Sequence, residues 1–242
     1  MGRIIAIANQ KGGVGKTTTA INLAACLAEA GQKILIIDID PQGNTTSGFG
    51  LPKTDIEKTV YEVLLGGCNI KDAIVENIID NLDILPSNVN LAGAEIDLID
   101  VEVRNRYDYI ILDCPPSLSM LTVNAMTAAD TVLVPIQCEY YALEGLTQLI
   151  HTINLVKKKL NPQLELEGVV FTMYDSRTNL SLQVVENVKD NLKQNIYKTI
   201  IPRNIRLAEA PSHGLPINLY DPKSTGAESY RLLAEEVMER EE

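Results

Sequence analysis

The sequence predicts an α/β fold in which helices cover both faces of a doubly wound, mostly parallel β-sheet. The first observation is that short, strand-sized apolar runs alternate with helical patterns along almost the whole chain. The second is that several of these runs are continuous in isoleucine, valine and leucine, which is typical of parallel strands buried on both faces. Repeated βα units with right-handed crossovers build a sheet of this kind.

Seven segments are predicted to form strands, because each is short, apolar and bounded by polar or turn residues. They are Arg3–Ala8, Lys33–Ile39, Leu82–Leu85, Tyr107–Asp113, Thr131–Pro135, Glu167–Thr172 and Tyr197–Ile200. Five longer segments have a helical pattern, namely Lys16–Ala30, Ser117–Ala128, Leu143–Leu160, Leu180–Asn191 and Gly226–Glu239. We expect the first helix to end at Gly31, since glycine is common just beyond a helix C-terminus.

Composition places the chain among ordinary globular proteins, since 45% of its 242 residues are hydrophobic and 22% are charged. No linker, internal repeat or low-complexity segment interrupts it, so residues 1–242 are expected to form a single domain. No apolar run approaches the roughly 20 residues of a membrane-spanning helix, and no signal-peptide pattern follows Met1. We therefore expect a cytoplasmic protein whose four cysteines are free thiols.

A glycine-rich loop follows the first predicted strand and precedes the first predicted helix. It reads Q-K-G-G-V-G-K-T-T-T from Gln10 to Thr19, a P-loop in the expected context. Its backbone N–H groups and the helix N-terminus would face a phosphate, although a turn without a ligand is the alternative. Lys16 is expected to bridge the β- and γ-phosphates, and the Thr17 hydroxyl to bind Mg²⁺. The predicted nucleotide contacts in the loop are Lys11, Gly12, Gly13, Val14, Gly15, Lys16, Thr17 and Thr18.

Acidic residues end two other predicted strands, at the edge where open parallel sheets bind ligands. The segment I-I-D-I-D-P-Q-G-N, residues 36–44, places Asp40 at a strand tip. Its carboxylate is expected to join the Mg²⁺ shell or to orient a water molecule on the γ-phosphate, although Asp-Pro also suits a simple turn. Another strand ends in D-C-P-P-S, the Walker B pattern, so Asp113 is expected to hold Mg²⁺ through water.

The loop departs from the common G-x-x-x-x-G-K-[ST] pattern, because Gln10 replaces the first glycine and Lys11 adds a second lysine. This deviant Walker A form resembles the ParA/MinD/nitrogenase-iron-protein group of P-loop NTPases. Further segments resemble the short chromosomal ParA proteins of the Soj group. They are D-I-D-P-Q-G-N, L-A-G-A-E-I, D-Y-I-I-L-D-C-P-P-S-L, Q-C-E-Y-Y-A-L-E-G-L, R-T-N-L and I-P-R-N-I-R-L-A-E-A-P-S-H-G-L-P, which together span nearly the whole chain.

The resemblance implies an ATPase that forms an ATP-sandwich homodimer, binds DNA without sequence preference and acts in chromosome or plasmid partitioning. It also implies association with the nucleoid and a ParB-type (Spo0J-like) centromere-binding protein that stimulates hydrolysis. Lys11 carries over as the signature lysine that reaches the partner subunit's phosphates, and Asp40 as the residue that orients the attacking water. Pro202 is expected beside the adenine, and Thr172 and Met173 are expected in the same pocket.

The charge of the chain is uneven, although its net value of −11, taken alone, argues against nucleic acid as a partner. Residues 171–206 contain six basic and three acidic side chains, so this segment is +3 and the rest is −14. By the resemblance, Arg177 and Arg206 are the best candidates for DNA contacts. Weaker candidates are Lys189, Lys193 and Lys198. Arginines that only form surface ion pairs are the alternative.

Two other classes of P-loop protein fit the sequence less well. A MinD-like membrane-associated positioning ATPase needs a basic amphipathic C-terminal helix, whereas residues 234–242 read A-E-E-V-M-E-R-E-E, so we expect no membrane partner. A metabolic P-loop enzyme needs acceptor or cluster-ligand residues, and the sequence contains no such motif.

One segment departs from the family pattern. Only Asp97–Arg106 separates L-A-G-A-E-I from the Walker B strand, where family members carry a longer, basic helical stretch. Either Asn88–Asn105 forms a single helix that leads directly into the strand, or the crossover is truncated.

Overall fold

The computed structural model describes residues 1–53, 56–88, 101–139, 141–192 and 195–240. Within these ranges eight strands form one sheet. They are β1 (Arg3–Ile7), β2 (Ile34–Asp38), β3 (Val75–Ile79), β4 (Leu82–Leu85), β5 (Tyr109–Asp113), β6 (Thr131–Gln137), β7 (Glu165–Tyr174) and β8 (Ile196–Pro202). The seven predicted strands are all present. The prediction missed β3, because its residues are only half-buried or exposed and no continuous apolar run marks it.

The strand order is β3-β4-β2-β5-β1-β6-β7-β8. Neighbouring strands run parallel, except that β3 pairs antiparallel with β4 at one edge. Strand β1 lies between β5 and β6, so the chain leaves β1 toward one side of the sheet and later builds the other side. The carboxyl end of β1 is therefore the switch point, where open α/β sheets bind their ligands.

Five long helices match the five predicted ones, with ends that differ by three residues or fewer. They are α1 (Lys16–Glu29), α6 (Met120–Ala128), α7 (Ala142–Lys159), α8 (Asn179–Asn191) and α11 (Thr225–Glu239). Shorter helices were not predicted, because a single turn has no apolar period to detect. They are α2 (Asn44–Gly48), α3 (Val60–Leu64), α4 (Ile70–Ala73), α5 (Val101–Arg104), α9 (Ile205–Glu209), α10 (Ile217–Tyr220) and a 3₁₀ helix over Ala210–His213.

Two apolar layers enclose the sheet, because successive strand residues point to opposite faces. Ile5 and Ile7 of β1 pack in a layer with α1 and α11. Ile4 and Ala6 belong to the opposite layer, which includes α6, α7 and α8. This arrangement confirms the predicted helices on both faces, and the four cysteines are free thiols, as expected. None of the described helices is long and apolar enough to cross a membrane.

The shortened crossover is described only from α5 onward, so the prediction of one helix over Asn88–Asn105 lies largely outside the described residues. At the end of α5, Arg104 donates from Nε to the carbonyl oxygen of Gly2 at 2.7 Å. Its Nη2 also pairs with Asp130 at 2.6 Å. These bonds attach the end of the crossover to the segments that precede β1 and β6.

Candidate nucleotide site

The glycine-rich loop joins β1 to α1 and borders a cavity of about 260 Å³ at the carboxyl edge of the sheet. Gly13 and Gly15 have φ angles of +74° and +86°, a left-handed conformation that residues with a Cβ rarely adopt. Asp40 and Pro116 line the same cavity from the ends of two other strands. Because α1 begins in this wall, its free N–H groups and its dipole favour an anion there.

Lys16 is the buried lysine of the loop, with 7% of its surface exposed. Its Nζ donates a hydrogen bond to the carbonyl oxygen of Lys11 at 2.8 Å. Burial lowers the pKa of Lys16, although the nearby groups Asp113, Cys114 and Asp40 oppose this shift. An ammonium has three donors, so this one retains donors for phosphate oxygens.

The ammonium of Lys11 binds a different part of the chain, the segment that connects β6 to α7. Its Nζ donates to the carbonyl oxygen of Tyr141 at 2.5 Å and lies 3.4 Å from Oε1 of Glu139. The same nitrogen lies 5.8 Å from the centroid of the Tyr141 ring. In a single chain, therefore, the ammonium of Lys11 binds its own subunit.

Two carboxylates face each other across β2 and β5, since Asp38 and Asp113 are register partners and both are fully buried. Thr46 donates its backbone N–H and its hydroxyl to Oδ2 of Asp38, at 2.8 Å and 2.7 Å. The hydroxyls of Thr17 and Thr45 donate to Oδ2 of Asp113, at 2.8 Å and 2.7 Å. Burial is the main cause that raises the pKa of both carboxyl groups.

The residues at this site fit Mg²⁺. Oδ1 of Asp113 is buried without a hydrogen-bond partner among the described residues, and the Thr17 hydroxyl lies beside that carboxylate. Mg²⁺ prefers oxygen ligands and usually keeps several water or phosphate ligands. The described part of the chain holds no cluster of three or more His, Cys, Asp or Glu side chains that could bind a metal ion. Asp40 is 5% exposed, and its Oδ1 accepts the N–H of Gln42 at 2.9 Å.

A second cavity, of about 330 Å³, adjoins the loop on the side of β7 and β8. Gly15 and Thr18 of the P-loop region border it, together with Met173 and Pro202. Met173 has a φ of +50° and lines the phosphate cavity as well. The structure thus brings the predicted adenine-side residues to a mainly apolar space beside the predicted phosphate site, where a flat base would fit.

Several polar contacts of the site were not predicted from the sequence. Thr45 and Thr46, on the one-turn helix α2, bind the two buried carboxylates. The hydroxyl of Thr172 donates to the carbonyl oxygen of Val14 at 2.8 Å, so β7 holds the P-loop. Tyr230, from α11, lines the base-side cavity. The adjacent threonines after D-P-Q-G-N were a usable signal, whereas nothing local marks Tyr230.

The two arginines predicted to contact DNA are exposed, and each has a carboxylate partner. Arg177 donates from Nε and Nη2 to the two oxygens of Asp175, at 2.8 Å and 2.7 Å. Arg206 pairs with Glu209 at 2.9 Å and with Asp221 at 3.4 Å. Of the weaker candidates, Lys189 and Lys198 are exposed, and Lys193 lies outside the described residues.

Comparison with known proteins shows the family of this chain. The model of a family described as an AAA domain matches residues 2–166. The sporulation initiation inhibitor protein Soj of Bacillus subtilis is 56% identical over 249 residues, and the match covers 98% of each chain. The chain belongs to the ParA/Soj family of chromosome-partitioning ATPases. A second member, the chromosome partitioning protein ParA of Myxococcus xanthus, is 52% identical, with 100% of this chain and 89% of the relative covered.

Solved structures show the same fold as this ParA/Soj-family chain. Cobyrinic acid a,c-diamide synthase from Mycobacterium smegmatis, with a bound ATP analog and magnesium, has a TM-score of 0.84 at 37% identity over 99% of this chain and 96% of the other. The septum site-determining protein MinD of Pyrococcus horikoshii, complexed with Mg-ADP, has a TM-score of 0.84 at 29% identity over 98% and 96%. These likenesses agree with the predicted doubly wound P-loop fold.

Proposed function

We propose that this chain is a single-domain partitioning ATPase that hydrolyses Mg²⁺-bound ATP at the cavity of the glycine-rich loop. The observation that carries the proposal is that Oδ1 of Asp113 is buried without a hydrogen-bond partner among the described residues, while Oδ2 of the same carboxylate accepts the Thr17 hydroxyl at the switch point of the sheet. Similar structures that hold an ATP analog with magnesium, or Mg-ADP, support the choice of ligand.

Each residue of the site has a part in this proposal. Mg²⁺, when bound, would neutralise phosphate charge, with Thr17 and Asp113 as its protein-side contacts. The loop N–H groups and Lys16 hold the β- and γ-phosphates. Asp40 lines the phosphate cavity and can accept a hydrogen bond from the attacking water. Pro202 and Met173 hold the base in the adjoining apolar cavity.

We further propose that ATP drives formation of a homodimer. In this dimer the side chain of Lys11 releases its contacts within its own subunit and binds the phosphates of the nucleotide in the other subunit. Two observations support this proposal. Lys16 already lines the phosphate cavity, whereas the ammonium of Lys11 donates an exposed hydrogen bond to the Tyr141 carbonyl oxygen, which another acceptor can replace. Dimerisation doubles the cationic contacts available to a DNA backbone and makes the second set intramolecular. Arg177 and Arg206 are the proposed contacts, and sequence-independent binding would place the dimer on the nucleoid.

The proposed partner is a ParB-type centromere-binding protein that stimulates hydrolysis, as the resemblance of this chain to the ParA/Soj family implies. Two measurements distinguish a DNA-binding partitioning ATPase from a membrane-associated positioning ATPase. Size-exclusion chromatography with light scattering, without nucleotide, with ADP and with ATP, is expected to show a dimer with ATP alone. Co-sedimentation with DNA or with anionic vesicles is expected to recover the ATP form with DNA. Recovery with vesicles and not with DNA would instead favour a MinD-like membrane-associated ATPase.

A further inference from the structure

The turn between β7 and α8 holds an arginine and a carboxylate in a two-point ion pair. Arg177 and Asp175 are joined by two side-chain hydrogen bonds of 2.8 Å and 2.7 Å. The backbone N–H of Arg177 also donates to Oδ1 of Asp175 at 3.0 Å. A guanidinium binds a carboxylate and a phosphate with the same kind of planar donor pair, so a phosphate at the Nε–Nη2 edge of Arg177 must displace Asp175.

The carboxylate is the fixed member of the pair, whereas the arginine is the exposed one. The carbonyl oxygen of Asp175 accepts the N–H and the hydroxyl of Thr178, at 3.1 Å and 3.0 Å. The side chain of Arg177 is 84% exposed, against 23% for Asp175. Hydrogen bonds from Arg177 also lower the pKa of Asp175 to about 2, so the carboxylate stays charged at neutral pH.

We propose that Asp175 is an internal competitor for DNA phosphate, whose carboxylate occupies Arg177 in the free chain and is displaced when DNA binds. This inference rests on the proposed function, because it concerns the same DNA-binding surface. An exposed ion pair is weak, so the dense charge of a DNA backbone can displace it. This competition lowers the DNA affinity of a single chain more than that of a dimer, because the second DNA contact of a dimer is intramolecular.

The Arg177 pair is better suited to a test than the corresponding pair at Arg206. Arg206 has two carboxylate partners, Glu209 and Asp221. Removal of either would leave the other in place. Asp175 is the one carboxylate paired with Arg177 among the described residues, and Asp175→Asn keeps an acceptor for the backbone N–H.

The experiment is a double-mutant cycle on DNA binding. Wild type, Asp175→Asn, Arg177→Ala and the double variant are titrated into a labelled duplex of arbitrary sequence, with Mg²⁺ and a non-hydrolysable ATP analogue. Asp175→Asn is expected to bind about two- to tenfold more tightly at low salt, which is the range for loss of one exposed pair per subunit. The gain is expected to shrink as salt rises, because salt screens exposed pairs, and to vanish in the Arg177→Ala background.

Glu186→Gln is the matched control, because Glu186 is an exposed acid on α8 without an ion pair among the described residues. It removes one negative charge per subunit and is expected to change DNA affinity much less than Asp175→Asn. An equal gain from Glu186→Gln, or a gain that persists without Arg177, would overturn the inference while leaving DNA binding intact. A wild-type dimer that does not bind DNA would overturn the proposed DNA binding itself.

Discussion

The ammonium of Lys16 donates a hydrogen bond to the carbonyl oxygen of Lys11, with 2.8 Å between nitrogen and oxygen. The buried lysine thus holds the loop backbone at the position whose own side chain leaves the loop and binds the Tyr141 carbonyl. The two lysines are therefore coupled through the backbone, although their ammonium groups lie in different surroundings. Because the two ammonium groups are separate, we expect their substitutions to have different effects on nucleotide binding and on dimerisation.

Lys11→Ala is expected to stay monomeric with ATP and to retain nucleotide binding to within about threefold, because Lys16 and the loop N–H groups are proposed to hold the phosphates within one subunit. Lys33→Ala, which removes an exposed lysine outside the site, serves as the control and is expected to dimerise. Light scattering after size exclusion measures the mass, and a fluorescent nucleotide measures affinity. A normal ATP dimer of Lys11→Ala would contradict the cross-subunit role.

Asp40→Ala is expected to bind ATP and to dimerise, yet to hydrolyse ATP at least about a hundredfold more slowly, since it removes the group proposed to position the attacking water. The variant should accumulate as an ATP dimer on DNA. Asp80→Ala, at an exposed residue between β3 and β4, is the matched control. Phosphate release measures turnover, and wild-type turnover of Asp40→Ala would assign water positioning to another residue.

Thr172→Val is expected to weaken nucleotide binding by about two- to tenfold, because it removes one buried hydrogen bond to the P-loop at Val14. Thr172→Ser keeps the hydroxyl and is expected to restore the affinity. Since the bond holds the loop and does not contact the reacting atoms, KM should rise while kcat changes little. A loss of kcat at unchanged KM, or failure of serine to restore binding, would show that the hydroxyl does not act by holding the loop.

Arg206→Ala is expected to reduce the salt dependence of DNA binding. About six phosphate contacts per dimer would give a slope of log K against log salt of roughly −5, and loss of two contacts should reduce its size by roughly 2. ATPase activity without DNA should change little. Arg231→Ala is the control, because Arg231 is also ion-paired, to Glu29 on another surface. An unchanged slope and affinity would remove Arg206 from the DNA surface.

Local sequence patterns were sufficient for the long elements and for the residues that follow β1, β2 and β5. Continuous apolar runs marked the buried strands, and glycines with lysine and threonine marked the loop. The same approach missed α2, since five residues make a single turn. It therefore missed Thr45 and Thr46, whose hydroxyls donate to one oxygen of each buried carboxylate, Oδ2 of Asp113 and Oδ2 of Asp38.

The sequence alone determined the order of the five long helices and the seven predicted strands, the glycine-rich loop and the residue types at the strand ends, because each depends on residues that are close together in the chain. Only the tertiary structure decided which distant groups meet. Thr172 donates a hydrogen bond to the Val14 carbonyl oxygen, and Tyr230 lines the base-side cavity. Asp175 pairs with Arg177, whose charge had suggested a free cationic surface. Contacts of this kind depend on the strand order and on the side-chain directions in the folded chain, which no local pattern encodes.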